Sequence, residues 1–227
     1  MAATRTQAAW SEADGAWNRL HARLAGRGRG ATGFVSQPEP RSFGSVARGR
    51  QLVAGNFLFS GFLIEAPGTP LWDLPVPAPR FEQDLHGFLW LDDLAALGTA
   101  EARARAKEWL QGWIVRYGTG RGRGWTPDLT GRRLIRWINH ALLVLHARDR
   151  AASDAYFAAL GRQAAYLARR WRAASARPAA LRGALRTGLR GPLAHRARGA
   201  ARARAHRARR GVRPRDRRGG RHRLPQP

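Results

Sequence analysis

The chain has 227 residues, enough for one or two domains with a real core. Its net charge of +26 points to nucleic acid, an anionic membrane or an acidic polymer as partner, and the absence of cysteine excludes disulfides and thiolate metal sites. The opening segment MAATRTQAAWSEADGAW lacks the apolar stretch of a secretory signal, and no window approaches 18 apolar residues, so localisation stays unassigned with the cytoplasm as default.

In chain order, Ala8 to Leu24 reads as a first helix, with Trp10, Ala13, Trp17, Leu20 and Leu24 recurring at steps of three and four. The run GRGRGATG ends it, and Phe34 to Arg50 reads as an extended linker. QLVAGNFLFSGFLIEAPG is rich in aromatic and apolar residues and is broken by Gly55-Asn56 and Gly61, which suggests two short strands or a compact loop. Pro67 to Pro79 is a Pro-rich connection.

Four helices follow. The first spans Phe81 to Leu97, and the second, capped by Thr99, runs to about Tyr117. The third covers Asp128 to about Ala147, and the fourth is capped by Ser153 and carries Phe157, Leu160, Ala164, Leu167 and Trp171. The short connections predict two antiparallel helical hairpins.

From Ser175 the periodicity stops. Residues 175–227 hold 17 Arg against one Asp, a net +16, while residues 1–174 carry +10 and every Trp, Phe and Tyr. The tail cannot offset its ordering entropy by apolar burial and reads as disordered. Clustered Arg is chemically suited to non-specific, salt-dependent phosphate binding.

The chain shows no P-loop, no G-x-G-x-x-G, no H-E-x-x-H and no G-x-S-x-G, so neither a cofactor nor a metal is expected. The acidic pair Asp92-Asp93 points its two side chains about 100° apart on a helix, which predicts solvation rather than a shared site. Arg133, Trp137 and His140 fall at i, i+4 and i+7, in a stripe beside the apolar one. Guanidinium, indole and imidazole together suit an anionic sugar, and Trp125 joins them as a further substrate-binding candidate. The alternative is that Trp137 is core and Arg133 pairs with a nearby acid.

Five segments, GNFLFSG, WDLP, LHGFLWLDDL, WLQGWIVRY and GWTPDLTGRRLIRWINHALLVL, occur in an order that resembles the N-terminal region of the heparinase II/III family, over roughly Pro38 to Ala174. The resemblance implies an all-α fold: a partial α/α toroid of helical hairpins, with a short β-like segment near 51–65. It divides the chain into an N-terminal helix and linker (1–37), the toroid part (38–174) and the tail (175–227). It also implies a bacterial polysaccharide lyase lineage that cleaves uronate-containing glycans such as heparan sulfate or alginate by β-elimination. In such chemistry Asn and His neutralise the uronate carboxylate and a Tyr or His base takes the C5 proton. None of those catalytic positions has a match here, so no catalytic residue is assigned and the chain is expected to be inactive alone.

The tail has a further reading. Codons can be chosen for PAALRGALR whose +1 frame gives leucine-proline-arginine-phenylalanine-glutamate-alanine-leucine. Codons for RGGRHRLPQP can give alanine-alanine-alanine-glycine-isoleucine-aspartate-serine-arginine-asparagine-proline, which resembles the family's catalytic-Asn segment. The two stretches lie about 40 residues apart and in family order, which suggests a frameshift near 174–177. Two further functions remain open at this point: a nucleic-acid-binding protein acting through the tail, and a non-catalytic module that binds an acidic polysaccharide.

Overall fold

The computed structural model describes residues 12–26, 33 and 44–170. The start of the first predicted helix, most of the predicted linker, Trp171 and the Arg-rich tail lie outside the described residues. The described part is mostly helical with one two-stranded sheet.

Helix α1 is Glu12–Ala25. The next helix, α2 (Val46–Val53), corrects the linker reading at its C-terminal end. Ser45 starts it, its hydroxyl accepting from the Arg48 N–H at 3.4 Å. The expected strands are β1 (Asn56–Phe59) and β2 (Phe62–Glu65), paired antiparallel with Leu58 opposite Leu63. Alternation sends Phe57 and Phe59 into the core and leaves Leu58 and Leu63 outside. The two-residue turn needs positive φ at both positions, and Ser60 (51°) and Gly61 (83°) supply it. The Ser60 hydroxyl ties this tip to Asp84 and to the Arg80 carbonyl. A short 3-10 turn at Leu71–Asp73 follows.

The sequence predicts one helix from Phe81 to Leu97, but the structure has two: α3 (Pro79–Gly87) and α4 (Leu89–Leu97). They part at Phe88, whose backbone is left-handed (φ 61°, ψ 28°) although it is not glycine. Packing holds it there. The buried Phe88 ring meets Trp72, Trp90, Trp113 and Trp137 at centroid distances of 4.6 to 6.1 Å. Phe88→Gly would relieve the backbone strain, worth about 1–2 kcal/mol, but would empty an aromatic pocket, costing about 3–5 kcal/mol. The variant should therefore be less stable by about 2–3 kcal/mol, read as a lower urea midpoint.

Helix α5 (Ala100–Tyr117) begins as predicted, with the Thr99 hydroxyl accepting from the Ala102 N–H at 3.2 Å. The third predicted helix is again divided, into α6 (Pro127–Asn139) and α7 (Ala141–Leu145), with His140 between them. The last described helix, α8 (Arg150–Arg170), starts before Ser153. Its cap is Asp149, which accepts from the Ala152 N–H at 2.7 Å, while Ser153 lies inside the first turn and donates to the Asp149 carbonyl.

Helices α6 and α8 run antiparallel, because Arg133 meets Gln163 while Trp137 stacks on Tyr156 at 5.4 Å. Helix α1 runs antiparallel to α8 in turn: Arg170 donates to Asn18, and Gly26 lies against Arg162. One continuous apolar core joins the hairpin to all the helices from α2 onward and to the C-terminal end of α1.

Candidate functional site

At the break the Phe88 N–H caps α3 by donating to Leu85 O at 3.3 Å, and the last carbonyls of the helix look for partners beyond it. Side chains supply them. Leu85 O accepts from Trp90 Nε1 at 3.1 Å, His86 O from the Arg133 guanidinium at 3.1 Å, and Gly87 O from Arg136 at 3.0 Å. Two arginines one turn apart on α6 thus complete the end of α3. The same residues organise the polar centre of the molecule.

Arg133 is fully buried and its partners are all neutral. Besides His86 O it donates to Gly124 O at 3.1 Å, Gln163 Oε1 at 2.8 Å and Thr130 Oγ1 at 3.3 Å. Its guanidinium carbon sits 4.1 Å from the Trp113 ring centre and 5.6 Å from that of Trp125. Burial pushes its pKa down to about 9, still above neutral pH, so the charge is held by carbonyl dipoles and ring faces rather than by an acid.

The His86 ring meets the indole N–H of Trp113. Its Nδ1 accepts from Trp113 Nε1 at 3.0 Å, and an indole N–H can only donate. His86 must therefore be the neutral tautomer with its proton on Nε2. Burial, reinforced by the Arg133 charge, pushes its pKa down to about 3. A Cβ on Gly124 would stand 2.5 Å from this ring nitrogen, so a glycine is what lets the 118–126 loop close over the imidazole.

The acidic pair is not solvated, which corrects the sequence reading. Both carboxylates are buried on α4. Asp92 accepts from Arg136 Nε at 2.9 Å and from His140 Nε2 at 2.7 Å. Burial opposes its ionisation, but the His140 hydrogen bond and the Arg136 charge outweigh burial and hold its pKa below the ordinary value. Asp93 accepts from the Ser45 N–H at 2.7 Å, joining α4 to the start of α2. Its pKa is raised by burial, and the backbone bond and Arg48 only partly offset this. Their divergence on the helix was read correctly; its consequence is that each side chain serves a different neighbouring helix. Asp92→Asn should lose about 2–3 kcal/mol, because Arg136 and His140 are left facing a neutral amide. Chemical denaturation at neutral pH measures this.

The four substrate-binding candidates are all inside. Arg133 and Trp137 are fully buried, Trp125 is 1% exposed and His140 7%. The stripe expected beside the apolar face of α6 lies within it, because α3 and α4 cover one flank of α6 and α8 covers the other. Trp137 is core, as the alternative had it, but Arg133 pairs with neutral acceptors rather than with an acid. The structure also brings in His86, Asp92, Arg136 and Gln163. Of these, Gln163 was legible as a lone polar residue on the apolar face of α8. Among the described residues no group of three or more His, Cys, Asp or Glu could hold a metal ion. No described helix is long and apolar enough to cross a membrane.

Fold and site together define a helical scaffold built around a buried arginine–aromatic centre. No family model matches the chain, and no solved structure matches it. Over 131 residues the chain is 30% identical to the FtsZ-localized protein C of Caulobacter vibrioides (strain NA1000 / CB15N), a stretch covering 56% of this chain and 22% of that protein. The match thus spans about a fifth of that relative's length.

Proposed function

We propose that the chain is the helical N-terminal part of a heparinase II/III-like protein, a portion of an α/α toroid from a lineage that cleaves uronate-containing glycans by β-elimination. One observation supports this reading above others: the separate segments that resemble the family meet in one place. Phe57 and Phe59, Trp72, then His86, Phe88, Trp90 and Asp92, then Trp109 and Trp113, and finally Trp125, Arg133, Trp137 and His140 all contribute to a single core and its polar centre. Segments that share a core have a physical reason to occur together and in order. The chain carries no match to the family's catalytic Asn, Tyr or His, so it has no β-elimination activity by itself.

The nucleotide sequence after codon 174 tests this. The +1 frame should be open and should encode an aromatic-containing helical hairpin followed by the asparagine segment. A stop codon in that frame would refute the frameshift. The protein expressed from the repaired frame should release unsaturated uronate from heparan sulfate or alginate, seen by ultraviolet absorbance, while the 227-residue chain releases none. Failure of the repaired protein on every uronan tried would overturn the lyase reading.

The likeness to the FtsZ-localized protein C favours a second reading, in which this chain associates with FtsZ. Co-sedimentation with FtsZ polymers tests it, at an ionic strength that already frees the Arg-rich tail from an unrelated polyanion. If the chain stays in the supernatant there, the association is the tail's charge alone. Nucleic acid held by the tail at low salt and released at that ionic strength is what the third reading, non-specific nucleic-acid binding, expects.

A further inference from the structure

The combination that suits an anionic sugar, free cations beside a flat ring, occurs on the described surface at the seam between α1 and α8. Arg162 is half-buried, and its Nε is shut off from solvent with no hydrogen-bond partner. Burial lowers its pKa, and no acid among the described side chains offsets that effect. Its guanidinium lies against Gly26, where a Cβ would come within 2.5 Å of the guanidinium carbon. Further along the seam, His21 Nδ1 is likewise buried without a partner. The pKa of His21 is lowered by burial and then by Arg170 and Arg169, again with no carboxylate of the described side chains among the influences on it. Arg170 is held by Asn18, while Arg169 is exposed. Beside them Trp17 is 51% exposed, its ring edge-on to His21 at 4.8 Å.

These groups line up. Residues 162, 166 and 169 share one face of α8, and Trp17 and His21 are one turn apart on α1. Between Arg162 and Arg169 the seam extends about 10 Å, at 1.5 Å per residue. Unpaired cations in partly desolvated positions attract oxyanions more strongly than fully solvated ones. A guanidinium fork fits a carboxylate or sulfate, and an exposed indole offers its face to a sugar ring.

We propose that the α1–α8 seam binds two successive anionic sugars of an acidic glycan, with Arg162 at one end and Arg169 at the other each holding a carboxylate or sulfate and Trp17 stacking on the ring nearer Arg169. The choice of a glycan over a nucleic acid rests on the lyase-family reading above; the anion site itself rests on the seam's geometry. It is a surface distinct from the buried Arg133 centre.

The test uses the full chain labelled at histidine, with the His21 ring signal assigned through His21→Gln. It is titrated with a sulfated uronate disaccharide, a neutral disaccharide, inorganic sulfate and a dinucleotide. The uronate disaccharide should shift the His21 signal saturably, and the neutral one should not. Gly26→Ala only pushes aside the end of a flexible side chain, so the protein folds while the guanidinium is displaced. Arg169→Gln alters an exposed residue. Each should weaken the disaccharide about tenfold, the loss of one charge-assisted hydrogen bond. Trp17→Ala should weaken the disaccharide and leave inorganic sulfate unchanged. A His21 signal that does not saturate, or affinities unchanged in all three variants, would place any binding on the tail and overturn the proposal. Tighter binding of the dinucleotide, or equal binding of free sulfate, would overturn the sugar assignment. A silent seam alongside an active repaired-frame lyase would sink this inference and leave the family reading standing.

Discussion

Arg133→Met is expected to destabilise the fold by about 4 kcal/mol, the scale seen when one partner of a buried charged network is removed. The substitution keeps much of the volume between Trp113 and Trp125 but withdraws every donor. His86 O, Gly124 O and Gln163 Oε1 are then left without their hydrogen bonds inside the protein. Arg133→Lys should rescue little, because one ammonium cannot reach acceptors spread on three sides of a planar fork. Urea denaturation at neutral pH gives the two losses. If the lysine variant is as stable as the parent, charge rather than the geometry of the fork is what matters. Adding Gln163→Leu to Arg133→Met should cost less than the sum of the two single losses, since the pair then disappears together.

Acid is expected to unfold the protein well above the pH at which its carboxylates titrate. The pKa of His86 is about 3 when folded and returns to about 6.5 when unfolded. As pH falls through 6.5 the unfolded chain takes up a proton that the folded chain refuses, so the unfolded state gains. The stability carried by neutral His86 is therefore fully present above pH 6.5 and drains away towards pH 3. At about 1.4 kcal/mol for each pKa unit, the loss amounts to several kcal/mol. Asp92, held low by His140 and Arg136, adds to the acid loss only at lower pH, while Asp93, raised by burial, acts in the opposite direction. His86→Gln keeps an acceptor for Trp113 without titrating. Its stability should decline less steeply than the parent's between pH 6.5 and about 5, the slope that remains coming from groups such as His21, whose pKa is also lowered in the fold. Equal slopes in the two proteins would assign the acid loss to another group.

The parts of this fold that could be read from sequence are those decided by near neighbours. Thr99 caps its helix through a hydrogen bond three residues away, and that helix ends where expected at Tyr117. The β-hairpin follows from alternation and from the Ser60-Gly61 turn. The parts that could not be read are decided by partners 30 to 50 residues away. Asp92 looks like an exposed helix acid until Arg136 and His140 arrive from α6. Arg133 sits in a helical pattern as any surface arginine would, and Gln163 and His86, 30 and 47 positions away, reveal its place. The one local sign of a break at Phe88 is the preceding Gly87, and a single glycine inside a helical pattern is tolerated, while Leu85, His86, Leu89 and Trp90 continue a helix acceptably. Helix α2 was hidden for another reason: its cap, Ser45, lies in a stretch rich in Gly and Arg that reads as irregular.

The corner at Phe88 also bears on the order of folding. Residues 79–97, taken alone, have only Gly87 to weaken a continuous helix, and the left-handed residue would cost energy with nothing in return. The carbonyls it releases are claimed by arginines 47 and 49 positions away. Contacts at that separation wait on loop closure, so they form after the local helices have begun. A continuous helix over residues 79–97 is thus expected early in folding, broken when α6 docks, so amide protection at residues 85–88 should appear together with that of α6 rather than before it.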